Sequence, residues 1–320
     1  MAIVNGKLTN EFSWSVSGDK LFSECKRKYY YDRYGSWEGW ARGTGSLKAK
    51  ELYLLKKLSL KDQWVGARVH DIIKMVLEKT KRGKAVSLVE AENYLEGLMK
   101  LDFQQSRENL YLKNPKLYVR FFEHEYGIPL EEKDAIASTD FGKHCLKNFF
   151  ESEIFAQLKQ VRTSDWLGLD DEKPSGFAFE GSKIFVKLDA AVRQENRITI
   201  FDWKTNRKPD VDYSIQLACY LLYATRTWKA SASNVDVFEV NLAQERAVVK
   251  KHPGLVAGTD WIQEYMRKSI SAMKSLLKNA EKNEAEERDY PQINELRYCS
   301  RCKFLRVCKP DVLPDGKVRG

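Results

Sequence analysis

The sequence predicts an α/β or α+β core interrupted by a helical insertion. Three observations carry that expectation. Apolar residues recur at helical spacing through much of the first half of the chain. Near residue 183 the period drops to two. Taken in order, the main elements then read helix, strand, strand, helix, strand.

Residues 12–34 read as a short helix, with Ser17 in "SGDKLFSECKRKYYYDRY" as its cap. Residues 62–83 form a second helix: Val65, Val69, Ile72, Ile73, Val76 and Leu77 share a face, and Gly83 stops it. Residues 84–165 read as several amphipathic helices rich in Leu, Phe and Tyr, without a catalytic motif. "KIFVKLDAAVR" alternates as a strand, "QEN" is a turn, and "RITIFDWKT" is the next strand. A helix follows in "VDYSIQLACYLLYATRTWK", then a strand pair in "NVDVFEVNLA" and "RAVVKKH", then a long helix over 258–283. The polar, acidic "KNAEKNEAEERDYPQ" links this core to a cysteine-bearing tail.

A chain of 320 residues accommodates one large domain with an insertion, or two modest ones. The expected segments are 1–83, 84–165, 166–283 and 284–320. The net charge of +9 favours a polyanionic partner, although many basic proteins bind none. No run of 18 apolar residues occurs, so no membrane span is expected. "MAIVNGKLTNEF" lacks the features of a secretory signal, and a cytoplasmic location with reduced thiols is expected. No G-x-x-x-x-G-K-[ST] phosphate loop is present, which argues against a nucleotide-driven motor.

The six cysteines fall into two kinds. Cys145 and Cys219 sit in apolar helical segments and read as small core residues. Cys299, Cys302 and Cys308 make C-x2-C-x5-C, with Cys25 far upstream. In a reducing compartment such spacing suggests metal ligation, and four thiolates suit tetrahedral zinc or an iron–sulfur cluster.

Asp189 and Asp202 end their predicted strands. If those strands pair across "QENR", the carboxylates become neighbours and repel unless a cation joins them. Hard oxygen ligands suit Mg²⁺ or Mn²⁺. Lys204, two residues beyond Asp202, projects from the same side. Its ammonium is placed to orient water and offset charge developing on a phosphate. Taken alone, D-x-K is a weak signal and reads first as a surface ion pair at a strand edge.

The order of Gly66 and His70 (G-x-x-x-H), Asp189, Asp202-x-Lys204, Gln216 and Tyr220 (Q-x-x-x-Y) and the four cysteines resembles the PD-(D/E)XK nuclease superfamily. Within it, the pattern is similar to the RecB-like branch with an iron–sulfur cluster, which includes CRISPR-adaptation nucleases and AddB-type nuclease domains. The resemblance implies a restriction-endonuclease-like core with a mixed sheet flanked by helices. It implies a deoxyribonuclease, with exonuclease action on single-stranded DNA or DNA ends, and partners in repair, recombination or CRISPR adaptation. His70, Asp189, Asp202 and the carbonyl of Trp203 are then the Mg²⁺ or Mn²⁺ ligands, Lys204 the catalytic lysine, and Gln216 and Tyr220 the substrate-contacting pair. Cys25, Cys299, Cys302 and Cys308 match the ligands of a [4Fe–4S] cluster that staples the chain ends, with zinc the alternative. One feature departs from the pattern: Val186 stands where the family usually has glycine, three residues before the first aspartate. Glu180 is the candidate for a family acid upstream of this strand. The competing expectation is a catalytically silent DNA-binding or assembly subunit on the same fold.

Two basic stretches remain. "CKRKYYYDRYGSWEGWAR" interleaves Lys and Arg with Tyr and Trp, as a single-stranded nucleic-acid track does, and as an amphipathic helix packed on the cysteines also does. "KTKRGK" at 79–84 reads as a solvated helix end.

Overall fold

Alternation in residues 197–204 puts Ile198 and Ile200 on one face of a strand and Phe201 and Trp203 on the other, and all four are buried. A strand apolar on both faces needs a layer on each side, and the fold supplies one of helices on each. The computed structural model describes residues 2–4, 7–41, 45–169, 175–208, 211–252, 259–314 and 317.

The chain opens with β1 (Ala2–Val4), β2 (Lys7–Thr9) and β3 (Ser13–Trp14), then α1 (Val16–Glu24) and α2 (Lys26–Tyr30), which widens into a π turn over Tyr31–Gly35. Helices α3 (Leu47–Lys56) and α4 (Lys61–Lys81) precede the insertion: α5 (Leu88–Arg107), α6 (Phe122–Glu125), α7 (Glu132–Glu151) and α8 (Glu153–Leu158). Then come β4 (Trp166–Leu169), β5 (Ser175–Phe179), β6 (Ser182–Val186), β7 (Ala190–Gln194) and β8 (Arg197–Lys204). They are followed by α9 (Ser214–Thr227), β9 (Val235–Asn241), β10 (Val248–Lys251) and α10 (Asp260–Lys274). Two single turns, α11 (Leu296–Cys299) and α12 (Leu305–Cys308), carry the last cysteines.

The main sheet runs β10-β9-β8-β7-β4, with β8 and β9 parallel and the other pairs antiparallel. Helix α9 is the crossover that a parallel pair requires. A smaller sheet, β3-β6-β5, joins an N-terminal strand to the later ones, so contacts cross the limits of the expected segments. Helices α4, α5, α7 and α8 pack on the Phe201/Trp203 face, and α9 and α10 on the Ile198/Ile200 face. This is a mixed α/β fold of the restriction-endonuclease-like kind.

Three details differ from the sequence expectation. The 12–34 helix is broken in two: Ser15, not Ser17, caps α1 by accepting from the Gly18 amide at 3.1 Å. The break falls at Cys25, extended at φ −164°, whose sulfur accepts from the Lys28 amide and starts α2. The single strand over 183–193 is two strands in two sheets, parted at Lys187–Asp189. The 258–283 helix is described only as α10, with Gly258 outside the described residues, and the stretch after it turns back through an Asn279–Glu284 bridge. The acidic link between core and tail is packed. Tyr290 is fully buried, and Glu287 accepts hydrogen bonds from Arg27, Tyr31 and Lys48.

Candidate active site

On β8 the apolar face ends at Ile200, and the next residues on that face are Asp202 and Lys204. The alternation that buries Ile198 and Ile200 therefore carries an acid and a base into the same interior wall. Asp202 is 2% exposed. Asp189 reaches it from the break between β6 and β7, where the chain changes sheets and frees the side chain from strand alternation. The hairpin register, Ala190 opposite Phe201, brings the two acids side by side, and the Trp203 amide donates to Asp189 Oδ2 at 2.8 Å.

Helix α4 delivers His70, whose Nδ1 lies 3.1 Å from Asp189 Oδ1. Gly66, one turn earlier, allows this approach. A Cβ there would stand 2.8 Å from Thr205 Oγ1, just past the end of β8. Helix α9 supplies the opposite wall. Gln216 Nε2 and the Tyr220 hydroxyl donate to Asp202 Oδ1 at 3.1 and 2.8 Å. Lys204 Nζ donates to Gln216 Oε1 at 2.9 Å and touches Asp202 Oδ2 at 2.5 Å.

The electrostatics sort the two acids. Burial pushes Asp202 upward and the neighbouring Asp189 charge adds to it, bringing its pKa to about 6 against the pull of Lys204 and Tyr220. Burial also disfavours the charged form of Asp189, but His70, the Trp203 amide and Lys204 outweigh it and hold that carboxyl below its ordinary value. His70 shows the reciprocal effect: burial opposes its charge, and Asp189 raises its pKa overall. Two carboxylates that differ in this way divide the labour of a site.

Asp202 Oδ2 is enclosed and makes no aligned hydrogen bond, although the Lys204 ammonium lies against it. Such an oxygen has a lone pair to give to a cation. The donor set around it, two carboxylates, an imidazole and the backbone of Trp203, fits Mg²⁺ or Mn²⁺ in kind. As the side chains stand, His70 lies against Asp189 and Lys204 against Asp202, and among the described residues no three His, Cys, Asp or Glu side chains are arranged to hold a metal ion. These groups line one end of a cleft of about 1380 Å³.

Val186 is buried in the apolar cluster and lines the cleft beside the carboxylates. Glu180 lies in the β5–β6 turn, paired with Arg267 on an exposed surface apart from the cleft, so it is not the upstream acid of this site. Tyr213 was missed by the sequence reading. Its ring lies 3.8 Å from Lys204 Nζ, and its hydroxyl donates to Asn206 Oδ1 at 3.0 Å. The signal was available: 213, 216 and 220 are spaced to share one helical face.

Cys145 and Cys219 are buried core residues, as expected. The other four cysteines are brought into one electrostatic neighbourhood. Burial pushes Cys302 and Cys308 up to about 11, and the thiol of Cys25 adds to the rise at Cys299, Cys302 and Cys308.

Residues 13–309 match the family model of the PD-(D/E)XK nuclease superfamily, and the chain belongs to that superfamily. Its members are generally nucleases and typically use divalent metals such as Mg²⁺ or Mn²⁺. No curated protein matches the sequence. Among the described residues no helix is long and apolar enough to cross a membrane.

Proposed function

We propose that the protein is a divalent-metal-dependent deoxyribonuclease that hydrolyses phosphodiesters, acting as an exonuclease on single-stranded DNA or DNA ends. It belongs in this reading to the RecB-like branch. The observation that carries it is the enclosed Asp202 Oδ2, which makes no aligned hydrogen bond, beside Lys204 and near Asp189. His70, Asp189, Asp202 and the Trp203 carbonyl hold Mg²⁺ or Mn²⁺, which supplies Lewis acidity and charge neutralisation when bound. Lys204 orients the attacking water and balances charge on the phosphate. Gln216 and Tyr220 fix the Asp202 carboxylate and face the substrate. Cys25, Cys299, Cys302 and Cys308 bind a structural [4Fe–4S] cluster.

The test is cleavage of labelled single-stranded and duplex DNA with Mn²⁺. Lys204→Ala should abolish turnover and leave DNA binding largely intact, and retained turnover removes Lys204 from the mechanism. No turnover by the wild type on any substrate, with tight binding, assigns the chain to the silent subunit class. Protein prepared without air should be brown; a colourless preparation with bound zinc replaces the cluster by a zinc site.

A further inference from the structure

We infer that the cleft leading to Asp189 and Asp202 holds an unpaired DNA strand, with bases against a ledge made by Trp37 and Trp40 and phosphates against Lys57 and Lys116. The nature of the polyanion rests on the nuclease reading above; the ledge itself rests on geometry.

The aromatic and basic stretch that begins at Cys25 divides into two parts. Tyr29, Tyr30 and Tyr34 gather around the buried Tyr290, and Tyr31 packs on Phe304, so the tyrosines are spent on holding the chain ends together. Trp37 and Trp40 are not. Both are half-buried and line the same cleft as the carboxylates, edge to face at 4.8 Å, with Trp40 resting on Tyr53 at 5.8 Å.

The turn that presents them is constrained. Glu38 sits at φ 61°, and a Cβ on Gly39 would lie 2.2 Å from the Ala49 carbonyl of α3. Tyr53 lines the cleft beside them, 6% exposed, and its enclosed hydroxyl has no hydrogen-bond partner among the described residues. Flat aromatic faces lining a cleft that also carries lysines are what a stack of bases uses, and a duplex keeps its base faces covered.

The same cleft carries crowded positive charge. Lys56 pairs with Asp32, but Lys57 and Lys116 are exposed and pair with no carboxylate among the described residues. Although the residue as a whole is exposed, partial burial of its ammonium, then the like charges of Lys56 and Lys116, depress the Lys57 pKa against the pull of Asp32. A lysine at the end of α3 is favoured by the helix dipole, which accounts for Lys57 alone. It does not account for Lys116, which arrives from the distant insertion to face it. An anion drawn into this group relieves the repulsion. At about 1380 Å³ the cleft exceeds the roughly 300–1,000 Å³ of small-molecule pockets, which suits a polymer.

The experiment is fluorescence anisotropy of the full chain with a labelled oligothymidylate and a matched duplex, without added divalent metal so that metal-dependent cutting is stopped. The expected result is preference for the single strand, with Trp37→Ala and Trp40→Ala each weakening it roughly tenfold and Trp40→Phe retaining most of the affinity. Lys57→Ala and Lys116→Ala should each flatten the plot of log affinity against log salt by about 0.7. Unchanged binding by tryptophan variants whose melting matches the wild type overturns the inference, as does preference for the duplex. Cleavage with Mn²⁺ is scored separately. Ledge-dependent binding without cleavage removes the nuclease reading alone, and cleavage with ledge-independent binding removes this inference alone.

Discussion

Lys204 has three N–H directions, and three different groups lie around it: Asp202 Oδ2 at 2.5 Å, Gln216 Oε1 at 2.9 Å and the centre of the Tyr213 ring at 3.8 Å. The ring gives the ammonium a favourable face without an acceptor that would compete for phosphate. Tyr213→Leu should therefore lower kcat roughly tenfold with little change in KM, because the lysine stays charged but is no longer aimed. Tyr213→Phe keeps the ring and should stay near wild type; loss in both variants would point to the hydroxyl and its Asn206 contact instead. Asp202 supports a second prediction, in the metal-free protein. Its pKa is raised from 3.8 to about 6 on folding, so the folded state binds the extra proton between those values. Stability from this group is thus unaffected below about pH 4 and falls as pH rises to about 6. The full penalty beyond that is roughly 3 kcal/mol. In urea titrations, the stability of wild type relative to Asp202→Asn should decline across this window and then level. A flat difference would mean that Lys204 already neutralises the carboxylate in full.

At the scale of elements, the turn between the π turn and α3 is the part whose shape matters most for the ledge. Gly39→Ala sets a Cβ against backbone, at 2.2 Å from the Ala49 carbonyl, which cannot rotate away. It should cost about 1–3 kcal/mol in thermal or urea unfolding and weaken single-strand binding along with it. Gly66→Ala meets only the tip of Thr205 and should be milder on both counts. Had Gly39→Ala no effect, the ledge would be free to move and its aim would not be built in. How far such elements can be read from sequence depends on which pattern each one uses. Helix α4 was legible from its apolar stripe, and the β7–β8 hairpin from alternation around a turn, within a residue or two. The break at Lys187–Asp189 was not, because Ile184, Val186, Leu188 and Ala190 are all buried and the period of two runs straight through it. Periodicity reports burial, not which sheet receives the strand. The site residues were legible because each lies in a short ordered pattern. The ledge was not separable from the tyrosines beside it, since composition cannot tell which aromatics face a cleft.

For the molecule as a whole, the chain ends meet at the cysteines. The Arg27 amide donates to the Pro291 carbonyl at 3.2 Å, Arg27 Nε donates to the Tyr290 carbonyl at 2.7 Å, and Gln292 reaches the Cys308 carbonyl at 3.2 Å. The insertion joins them: Tyr126 donates to the Lys303 carbonyl at 2.7 Å, and Arg306 pairs with both Glu51 and Glu125. A tie at this junction restrains three parts of the chain together, including α3, which carries Lys57 at its end and backs the ledge. Without a metal, Cys302 and Cys308 are protonated at neutral pH, and burial, which raises their pKa values to about 11, makes them harder to ionise. Metal binding would then release protons and add its free energy to folding. If the four cysteines hold a cluster or zinc, anaerobically prepared wild type should melt higher than the same protein after chelator treatment. Cys302→Ser should start near the lower value and respond far less to the chelator. That comparison separates the cysteine site from the carboxylate site, which the substitution leaves intact. A wild-type melting temperature unmoved by the chelator, or a Cys302→Ser protein that falls as far as the wild type, would leave the hydrogen bonds around Arg27 and Tyr290 as what closes the ends.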